Sequence, residues 1–554
     1  MFGSLRLSFA WLHTWFGLVL GFVLMVAFFF GSMSVFDREI DRWSLPATRI
    51  EPQPMPSFDK VLAVRFSEIN EPDPTQRAEA AQRVSRPLPE RLVAANWNAY
   101  TTHRDPVLNM YVGFEVPNSR LAEDEIYGFE TIDPRDGSLL RKDQVPLGSG
   151  FFYPMHFSLH LEWKGLGYWI VGFAAMTMLA ALVSGVVMHR KIFREFFTFR
   201  RDRNLLRGTL DLHNLTGVLA LPFHFLWALS GLIIFAGIYF PIGDTMMRPV
   251  VEAHERDDSK ASGLALKPSG VPGTLASVDA MMAEAKSRWA ARGVPGEIGF
   301  LSVNHVGNSN AYVSIYRDST DRVASAEAIH FDGSTGRVVY EQPPEGPITT
   351  VTSFLTGMHL QQFKHWTLRW LIFVGGIVSC VCIATGFIFF VEKRKQAHAK
   401  QGLTGARWVD ALAVTTVTGM VVATLAMLVV NRVLPDSLSQ RDLWEESTFW
   451  IAWLLALVHA AWRSAALREA RVSKAWREQC WAIAVLAVTA VLLNALTTGD
   501  HLVRTIATGY WPVAGVDLML LVSATVAALA ARRLQRAPAL ATQSHNLAEA
   551  AESV

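Results

Sequence analysis

Long apolar runs alternate with polar segments along this chain. Runs of about 20 apolar residues are long enough to cross a bilayer, and they occur at roughly 10–36, 167–188, 215–240, 367–391, 408–430, 448–466, 478–497 and 513–531. Two long polar segments, 37–150 and 241–350, contain Pro-rich connections and strand-like alternation such as AYVSIYRD. The pattern predicts an all-α polytopic membrane protein of about eight transmembrane helices, with two small α+β domains outside the membrane.

Composition supports this prediction. Of the 554 residues, 51% are hydrophobic and only 18% are charged, against about 25% charged in an average soluble domain. The net charge of +2 gives no support for a nucleic-acid partner. All three cysteines, Cys380, Cys382 and Cys480, lie in apolar runs, so the sequence predicts no disulfide framework.

Basic segments predict the orientation. HRKIFREFFTFRRDRNLLR follows the second run, EKRKQAHAK the fourth and WRSAALREARVSKAWR the sixth. The positive-inside rule places these segments and both termini in the cytoplasm, and the long polar segments in the periplasm of a Gram-negative cell. The first run has too long an apolar core for a signal peptide and no A-x-A site before DREIDRW, so we expect a retained helix.

These patterns predict the following domain organisation. The predicted parts are a first span at 1–36, an outside domain at 37–150, a second span at 151–195, a basic loop at 196–208, a third span at 209–240, a second outside domain at 241–350, a fourth span at 351–395 and a C-terminal extension of four membrane helices at 396–554.

The first four spans are two copies of one unit of two helices. LHTWFG near the N-terminus matches LHNLTG in the third span, which pairs His13 with His213 and Gly17 with Gly217. TIDPRDGSLL matches IHFDGSTGRV, and their shared D-x-x-x-G pattern predicts a β-turn between two strands. ALVSGVV matches CIATGFI in the second helix of each copy. The sequence therefore predicts a four-helix core built from a tandem repeat.

A histidine inside a membrane helix is costly and usually faces a partner or a cavity. A structural hydrogen bond to a helix carbonyl is the simplest explanation, and we favour it for the isolated His459. A pair repeated by internal symmetry, such as His13 and His213, favours ligation, because two neutral imidazoles on opposite sides of a macrocycle are what bis-His haem ligation requires. Gly17 and Gly217 would leave room for a porphyrin, with close helix contact as the competing explanation.

A second layer of histidines is predicted near the outer face. His160 in SLHLEW and His359 in GMHLQQ precede the second helix of each repeat. His156 lies four residues before His160 on the same helical face, and His365 follows His359, so either is an alternative outer ligand.

Two further histidines lie in or at the end of a predicted span. His189 ends the second span, where ligation and contact with lipid headgroups are both open. His224 lies about 16 Å along the helix from His213, beside Pro222. Its repeat counterpart is Leu24, so we keep it as an alternative ligand or a relay between layers.

The motifs together resemble a known family. The repeated L-H-x-x-x-G motif, the S-G and T-G pairs of the second helices and the D-x-x-x-G turns resemble the PepSY-associated transmembrane family, and within it the FoxB- and PiuB-like ferrisiderophore reductases of Gram-negative inner membranes. The resemblance covers about residues 5–395 and implies that both outside domains are PepSY-like. Residues 396–554 fall outside it.

The resemblance implies a b-type dihaem protein of the bacterial inner membrane that passes electrons outward to a ferric siderophore. Reduction to Fe(II) weakens binding by hard oxygen donors, so iron is released. The implied ligands of two haem b groups are His13, His213, His160 and His359. No G-x-G-x-x-G opens a helix after a strand, so we expect a cytoplasmic or quinol electron donor. Membrane lipid and periplasmic iron-uptake components are further expected partners.

Other classes of function stay open at this point. A non-redox transporter could use His224 as a proton carrier and would need broken helices; Pro222 offers one break, but its counterpart Phe22 does not. A PepSY-type regulatory or binding protein leaves the paired histidines unexplained. Zinc or copper bound by histidine pairs alone is weaker, because carboxylate and thiolate ligands at matching depth are missing from the sequence.

Overall fold

The computed structural model describes residues 5–101, 105–117, 125–140, 146–188, 205–239, 241–318, 321, 323, 327–343, 346–361, 363–435, 437–464 and 473–536. The chain forms two compact units, which we describe separately. The first unit comprises Met1–Pro46, Asp143–Tyr239 and Trp366–Val554, and the second comprises Ala47–Lys142 and Phe240–His365.

Helices make up most of the described chain. In order they are α1 Leu5–Val19, α2 Gly21–Ser34, α3 Asp37–Ser44, α4 Ala63–Glu68, α5 Pro74–Arg83, α6 Tyr153–Phe157, α7 Leu166–Met188, α8 Leu205–Leu219, α9 Leu221–Ile234, α10 Ala236–Tyr239, α11 Pro241–Ser262, α12 Val278–Ala291, α13 Pro347–Leu360, α14 Trp366–Lys400, α15 Gly405–Val414, α16 Met420–Val433, α17 Arg441–Arg463, α18 Lys474–Thr498, α19 Leu502–Ala507 and α20 Trp511–Arg536. Short π-helical turns at Phe58–Leu62, Leu147–Phe152 and Thr415–Gly419 run directly into α4, α6 and α16.

The described helices include five segments that are long and apolar enough to cross a membrane, and two bent pairs that raise this number to seven. The five segments are Trp163–Val187, Trp366–Lys395, Gly405–Val433, Lys474–Thr498 and Trp511–Gln535. The predicted span at 448–466 lies mostly on α17 and is not among them, because polar side chains such as His459 and Arg463 interrupt its apolar surface. The chain is a multi-pass membrane protein, and a total of eight spans stays a prediction.

Both repeats bend their first span at the same place. α1 meets α2 at an angle of 59°, and α8 meets α9 at 60°. Pro222 explains the second bend, because it removes a backbone donor from the first turn of α9. The first bend has no proline. Gly21 lies there, and a Cβ on it would be 3.0 Å from the Phe387 ring, so close packing against α14 accompanies the bend. The expectation that Phe22 offers no break is therefore wrong.

The second unit contains one antiparallel sheet to which both polar segments contribute. Its strands are β1 Ala94–Tyr100, β2 Leu108–Glu115, β3 Glu125–Ile132, β4 Ile298–Asn304, β5 Tyr312–Arg317, β6 Ala328–Asp332 and β7 Val338–Glu341, in the spatial order β3-β2-β1-β4-β5-β6-β7. Trp97 on β1 pairs with Val303 on β4. The sequence predicts two separate domains, whereas the pairing of β1 with β4 joins the strands of both polar segments into one sheet whose edge strands are β3 and β7.

Matching motifs join the two halves of this unit. Asp279 accepts a hydrogen bond from the backbone N–H of Phe58 at 2.7 Å, and Asp59 accepts one from the N–H of Val278 at 3.0 Å. Each aspartate belongs to an S-x-D motif at the start of one helical segment and caps the other segment. The unit therefore has approximate twofold symmetry in its caps as well as in its sheet.

The two D-x-x-x-G motifs form turns, as predicted. The Gly137 N–H donates to the Asp133 carbonyl at 2.8 Å after β3, and the Gly336 N–H donates to the Asp332 carbonyl at 2.9 Å after β6. Both glycines have positive φ, +74° and +69°, a conformation that favours glycine.

The C-terminal helices pack in the first unit. The ring of Phe449 on α17 lies 5.0 Å from Phe151 and 5.9 Å from Phe30, measured between centroids. The Trp43 indole N–H donates to the Asp517 carboxylate of α20 at 2.7 Å. The extension beyond residue 395 is thus part of the core that surrounds the first repeat. His459 on α17 has a structural partner, since its Nε2 lies 2.9 Å from the Glu478 carboxylate.

Candidate functional site

The repeat brings His13 and His213 together inside the first unit. His13 lies on α1, which packs against α7, and His213 lies on α8, which packs against α14. Their ring centroids are 6.2 Å apart and their planes are inclined at 76°. The two residues are 200 positions apart in the sequence, so this pairing depends on tertiary packing.

Each of these imidazoles is oriented by a carbonyl of the second helix of its own repeat. His13 donates from Nδ1 to the Ala181 carbonyl at 3.0 Å, and His213 donates from Nδ1 to the Cys382 carbonyl at 2.8 Å. A carbonyl only accepts, so the proton resides on Nδ1 and the lone pair resides on Nε2. This is the arrangement of a metal-ligating histidine whose other nitrogen is held by a hydrogen bond.

The glycines near the histidines have different roles. A Cβ on Gly185 would lie 3.4 Å from His13 Cε1, and one on Gly386 would lie 3.3 Å from His213 Cε1, so both glycines give the rings their space. A Cβ on Gly17 would meet no described atom within 4 Å. Gly217 faces Cys382, with its sulfur 3.5 Å from such a Cβ, which is a helix contact rather than open space.

The histidine pair lines a cavity of about 340 Å³. Most of its wall is apolar, from α1, α2, α7, α8 and α14, and it includes Gly17 and Leu24. Two cations of α14, Lys393 and Arg394, also line it. A largely apolar cavity with a few convergent polar groups is typical of a cofactor site.

His224 also lines this cavity and is buried, with 5% of its surface exposed. Ser379 donates its hydroxyl proton to the Gly375 carbonyl at 2.8 Å, so its oxygen accepts from His224 Nε2 at 2.7 Å. The remaining nitrogen, Nδ1, has no hydrogen-bond partner among the described residues. His224 therefore presents a lone pair that no described residue uses.

The spacing of His13 and His213 would suit two imidazole ligands of one haem iron. Two imidazole–metal bonds of about 2 Å each, with the ring radii added, separate the centroids of axial ligands by about 6 Å, close to the 6.2 Å found here. In the neutral form of each imidazole, the carbonyl bond at Nδ1 leaves the lone pair on Nε2, and Gly17 leaves the adjacent space open. Within the described ranges, no three His, Cys, Asp or Glu side chains cluster as a metal site.

The alternative ligand His156 lies inside the first unit and repeats the same geometry. Its Nδ1 donates to the Ala27 carbonyl at 2.8 Å. A Cβ on Gly31 would lie only 2.7 Å from that nitrogen, so α2 accommodates the imidazole through a glycine. Like His13 and His213, His156 thus donates from Nδ1 to a helix carbonyl and faces a glycine of the same helix.

His160 differs from this pattern. It has positive φ, +52°, donates from Nε2 to the Phe151 carbonyl at 2.9 Å and stacks on the Phe151 ring. Its lone pair is therefore on Nδ1. The predicted partners His359 and His365 belong to the second unit, where His365 Nε2 lies 3.2 Å from the Asp321 carbonyl. His189 lies outside the described residues.

Comparison with known proteins identifies the family of this chain. Residues 10–393, well over half of the chain, match the family described as the PepSY-associated TM region. The chain belongs to this family. Among similar proteins, an uncharacterized protein of Pseudomonas aeruginosa is 24% identical over 317 residues, which cover 54% of this chain and 77% of that relative. The PepSY-associated region contains the whole cavity except Arg394.

Sequence reasoning assigned no role in the site to two cations that line the cavity or to the hydrogen-bond partner of His224. Lys393 and Arg394 entered the prediction only as charges that set the orientation, and Ser379 did not enter it. Ser379 lies three residues before Cys382, whose carbonyl holds His213, and that helical spacing was the available signal.

Proposed function

We propose that this PepSY-associated protein is a dihaem b-type electron-transfer protein of the bacterial inner membrane, of the ferrisiderophore reductase type. It would reduce a ferric siderophore on the periplasmic side and release Fe(II) for uptake. The observation that carries the proposal is the carbonyl-oriented pair of His13 and His213 beside an apolar cavity.

The residues of the cavity have defined roles in this proposal. His13 and His213 would bind the iron through Nε2, while Ala181 and Cys382 keep each imidazole in the neutral tautomer. A haem bound there supplies a one-electron couple. The apolar wall excludes water, and Gly17 leaves the space that a flat macrocycle needs. The candidates for a second haem are His156, His160, His359 and His365.

The overall reaction needs one electron for each iron. The ferric ion is reduced to Fe(II), and the siderophore keeps its oxygen donors, which bind the softer ferrous ion less tightly. The electron would come from a cytoplasmic partner or a membrane quinol.

The test is the absorption spectrum of the full-length protein purified in detergent. We expect a Soret band, a reduced α-band and two haems per chain, and a reduced sample should transfer electrons to a ferric hydroxamate. The variant His13→Ala should lose one haem and keep the other. A purified protein without a Soret band would refute the proposal, and loss of neither haem in His13→Ala would remove His13 from the ligand set.

A non-redox transporter is the second candidate, because both repeats contain the broken first span that such a mechanism uses. It assigns the cavity to a transported solute and the Nδ1 lone pair of His224 to a proton. The same spectrum separates the two candidates, since a transporter needs no chromophore.

A further inference from the structure

The cavity has a basic rim on α14 that the ligand pair does not explain. Lys393 and Arg394 both line the cavity, Lys393 being exposed and Arg394 half-buried. In the described part of the chain, neither has a carboxylate within ion-pair distance. The adjacent Lys395 does not line the cavity, is 8% exposed and pairs with Glu392 at 2.6 Å. Three consecutive cations thus separate into two that face the cavity and one that is neutralised.

Both cavity-facing cations fold back along the helix. The guanidinium carbon of Arg394 lies 4.0 Å from the centroid of Phe390, and the Lys393 ammonium lies 5.7 Å from the centroid of Phe389. Each aromatic ring is one turn closer to the histidines, so each charged group lies over the preceding turn, as helical geometry favours. The positive charges are therefore directed toward the His213 level and not away from it.

The axial distance suits a group at the periphery of a ligand centred between the histidines. Lys393 follows Cys382 by eleven residues, which is about 16 Å along α14, and folding back by one turn of about 5.4 Å leaves about 11 Å. Cys382 marks the level of His213, because its carbonyl accepts the Nδ1 hydrogen bond. At this distance from the level of His213, the two cations are too far away to bind the iron. They are close enough to contact the carboxylate side chains at the periphery of a haem.

We infer that Lys393 and Arg394 form a carboxylate subsite that binds the two propionates of the haem held by His13 and His213, and thereby fixes which edge of the macrocycle faces the basic end of α14. This inference rests on the proposed function. A guanidinium and an ammonium both form charge-assisted hydrogen bonds with carboxylates, which are the strong class of hydrogen bond. The described chain offers Lys393 and Arg394 no carboxylate partner, and the propionates would supply one to each.

The subsite also tunes the redox equilibrium. Reduction adds one negative charge to the haem, and nearby positive charges stabilise the reduced form. Removal of Lys393 and Arg394 should therefore lower the midpoint potential of this haem. Anionic lipid headgroups carry phosphate charges that the same cations could bind, so the experiment has to distinguish a bound haem from lipid.

The experiment compares Lys393→Gln, Arg394→Gln, their double variant and Lys395→Gln in the full-length haem-loaded protein. The three single variants change the net charge equally and differ in whether the side chain faces the cavity. We expect the double variant to keep its bis-His spectrum and to shift the reduction equilibrium of one haem by about tenfold toward the ferric form, equal to 59 mV. We expect Lys395→Gln to match the wild type.

A second arm removes the carboxylates from the ligand. The wild type and the double variant are each reconstituted with iron protoporphyrin IX or with its dimethyl ester, in nanodiscs of neutral lipid. We expect the double variant to bind the free acid at least tenfold more weakly than the wild type does, and the two proteins to bind the ester equally, because only the free acid offers carboxylates to the two cations. The inference fails if the difference persists with the ester, vanishes in neutral lipid, or appears equally in Lys395→Gln.

The haem content of the wild type distinguishes failure of the proposed function from failure of the carboxylate subsite alone. If the wild type contains no haem, the proposed function fails and the inference falls with it. If the wild type contains haem and the double variant retains its potential and its haem content, only the inference fails.

Discussion

The imidazole of His213 donates from Nδ1 to the carbonyl oxygen of Cys382 at 2.8 Å. His13 makes the same contact with Ala181 in the other repeat. Each histidine is thereby held by the second helix of its own sequence repeat, while its ring approaches the histidine of the other repeat. The duplication thus provides two equivalent Nε2 atoms, one on His13 and one on His213, whereas a single repeat would provide only one.

Gly17→Leu tests whether the cavity holds a bulky ligand. A Cβ at this position meets no described atom within 4 Å in the protein alone, so we expect the variant to fold and to keep its thermal stability. It would occupy the space assigned to the macrocycle, and we expect at least a tenfold loss of the haem that His13 binds, measured as absorbance per protein. Gly237→Leu is the matched control, because Gly237 is also a helical glycine with open space and does not line the cavity. Full haem content in Gly17→Leu would contradict the assignment.

His224→Leu tests whether this histidine is a ligand or a neighbour. The substitution introduces the residue found at the equivalent position of the first repeat, Leu24. It removes Nδ1, which has no partner among the described residues and whose burial costs about 1–3 kcal/mol, and it also removes the Nε2 hydrogen bond to Ser379. Because these two effects oppose each other, the stability of the haem-free protein should change little. We expect unchanged haem content, because His13 and His213 supply the axial pair. Loss of one haem would show that His224 is an iron ligand instead.

Arg369→Met tests the buried ion pair at the start of α14. The guanidinium of Arg369 lies 3.0 Å from the Glu39 carboxylate and donates to the Val35 carbonyl at 2.7 Å, and Arg369 is 1% exposed. Removing one partner of a buried pair leaves the other charge uncompensated, which costs about 3–5 kcal/mol. We expect a clear fall in the thermal unfolding temperature in detergent. The double variant with Glu39→Gln should recover part of the loss, whereas a double variant as unstable as Arg369→Met would exclude this cause.

His330 gives the second unit a pH-dependent stability. Its Nδ1 lies 2.8 Å from the Ser314 hydroxyl, and burial lowers the pKa of His330 below its ordinary value of 6.5. Below about pH 6.5 the unfolded chain therefore binds a proton that the folded unit resists, so the stabilisation present at neutral pH is lost as the pH falls.

Hydrogen exchange of the β6 amides in the full-length protein measures this effect. After correction for intrinsic exchange, protection should fall between pH 7 and pH 5.5 in the wild type and change less in His330→Gln. An equal fall in both proteins would assign the pH dependence to other groups.

Local sequence pattern determined much of this protein. Apolar run length predicts the membrane helices, because hydrocarbon thickness sets a minimum length. The D-x-x-x-G motif predicts both turns, because a positive φ at Gly137 and Gly336 is a local requirement. The tandem repeat with His13 and His213 also identifies the PepSY-associated region, since a duplicated motif is visible without knowledge of the fold.

Only the tertiary structure decided how the repeats combine. The pairing of β1 with β4 merges two polar segments into one sheet, and the first span bends at Gly21, beside the Phe387 ring, without a proline. The similarity of His156 to His13 and His213 comes from the Ala27 carbonyl and from Gly31, both on another helix. Periodicity specifies which face of a helix is apolar, but contacts between residues far apart in the chain depend on packing, and such contacts orient the imidazoles of His13 and His213.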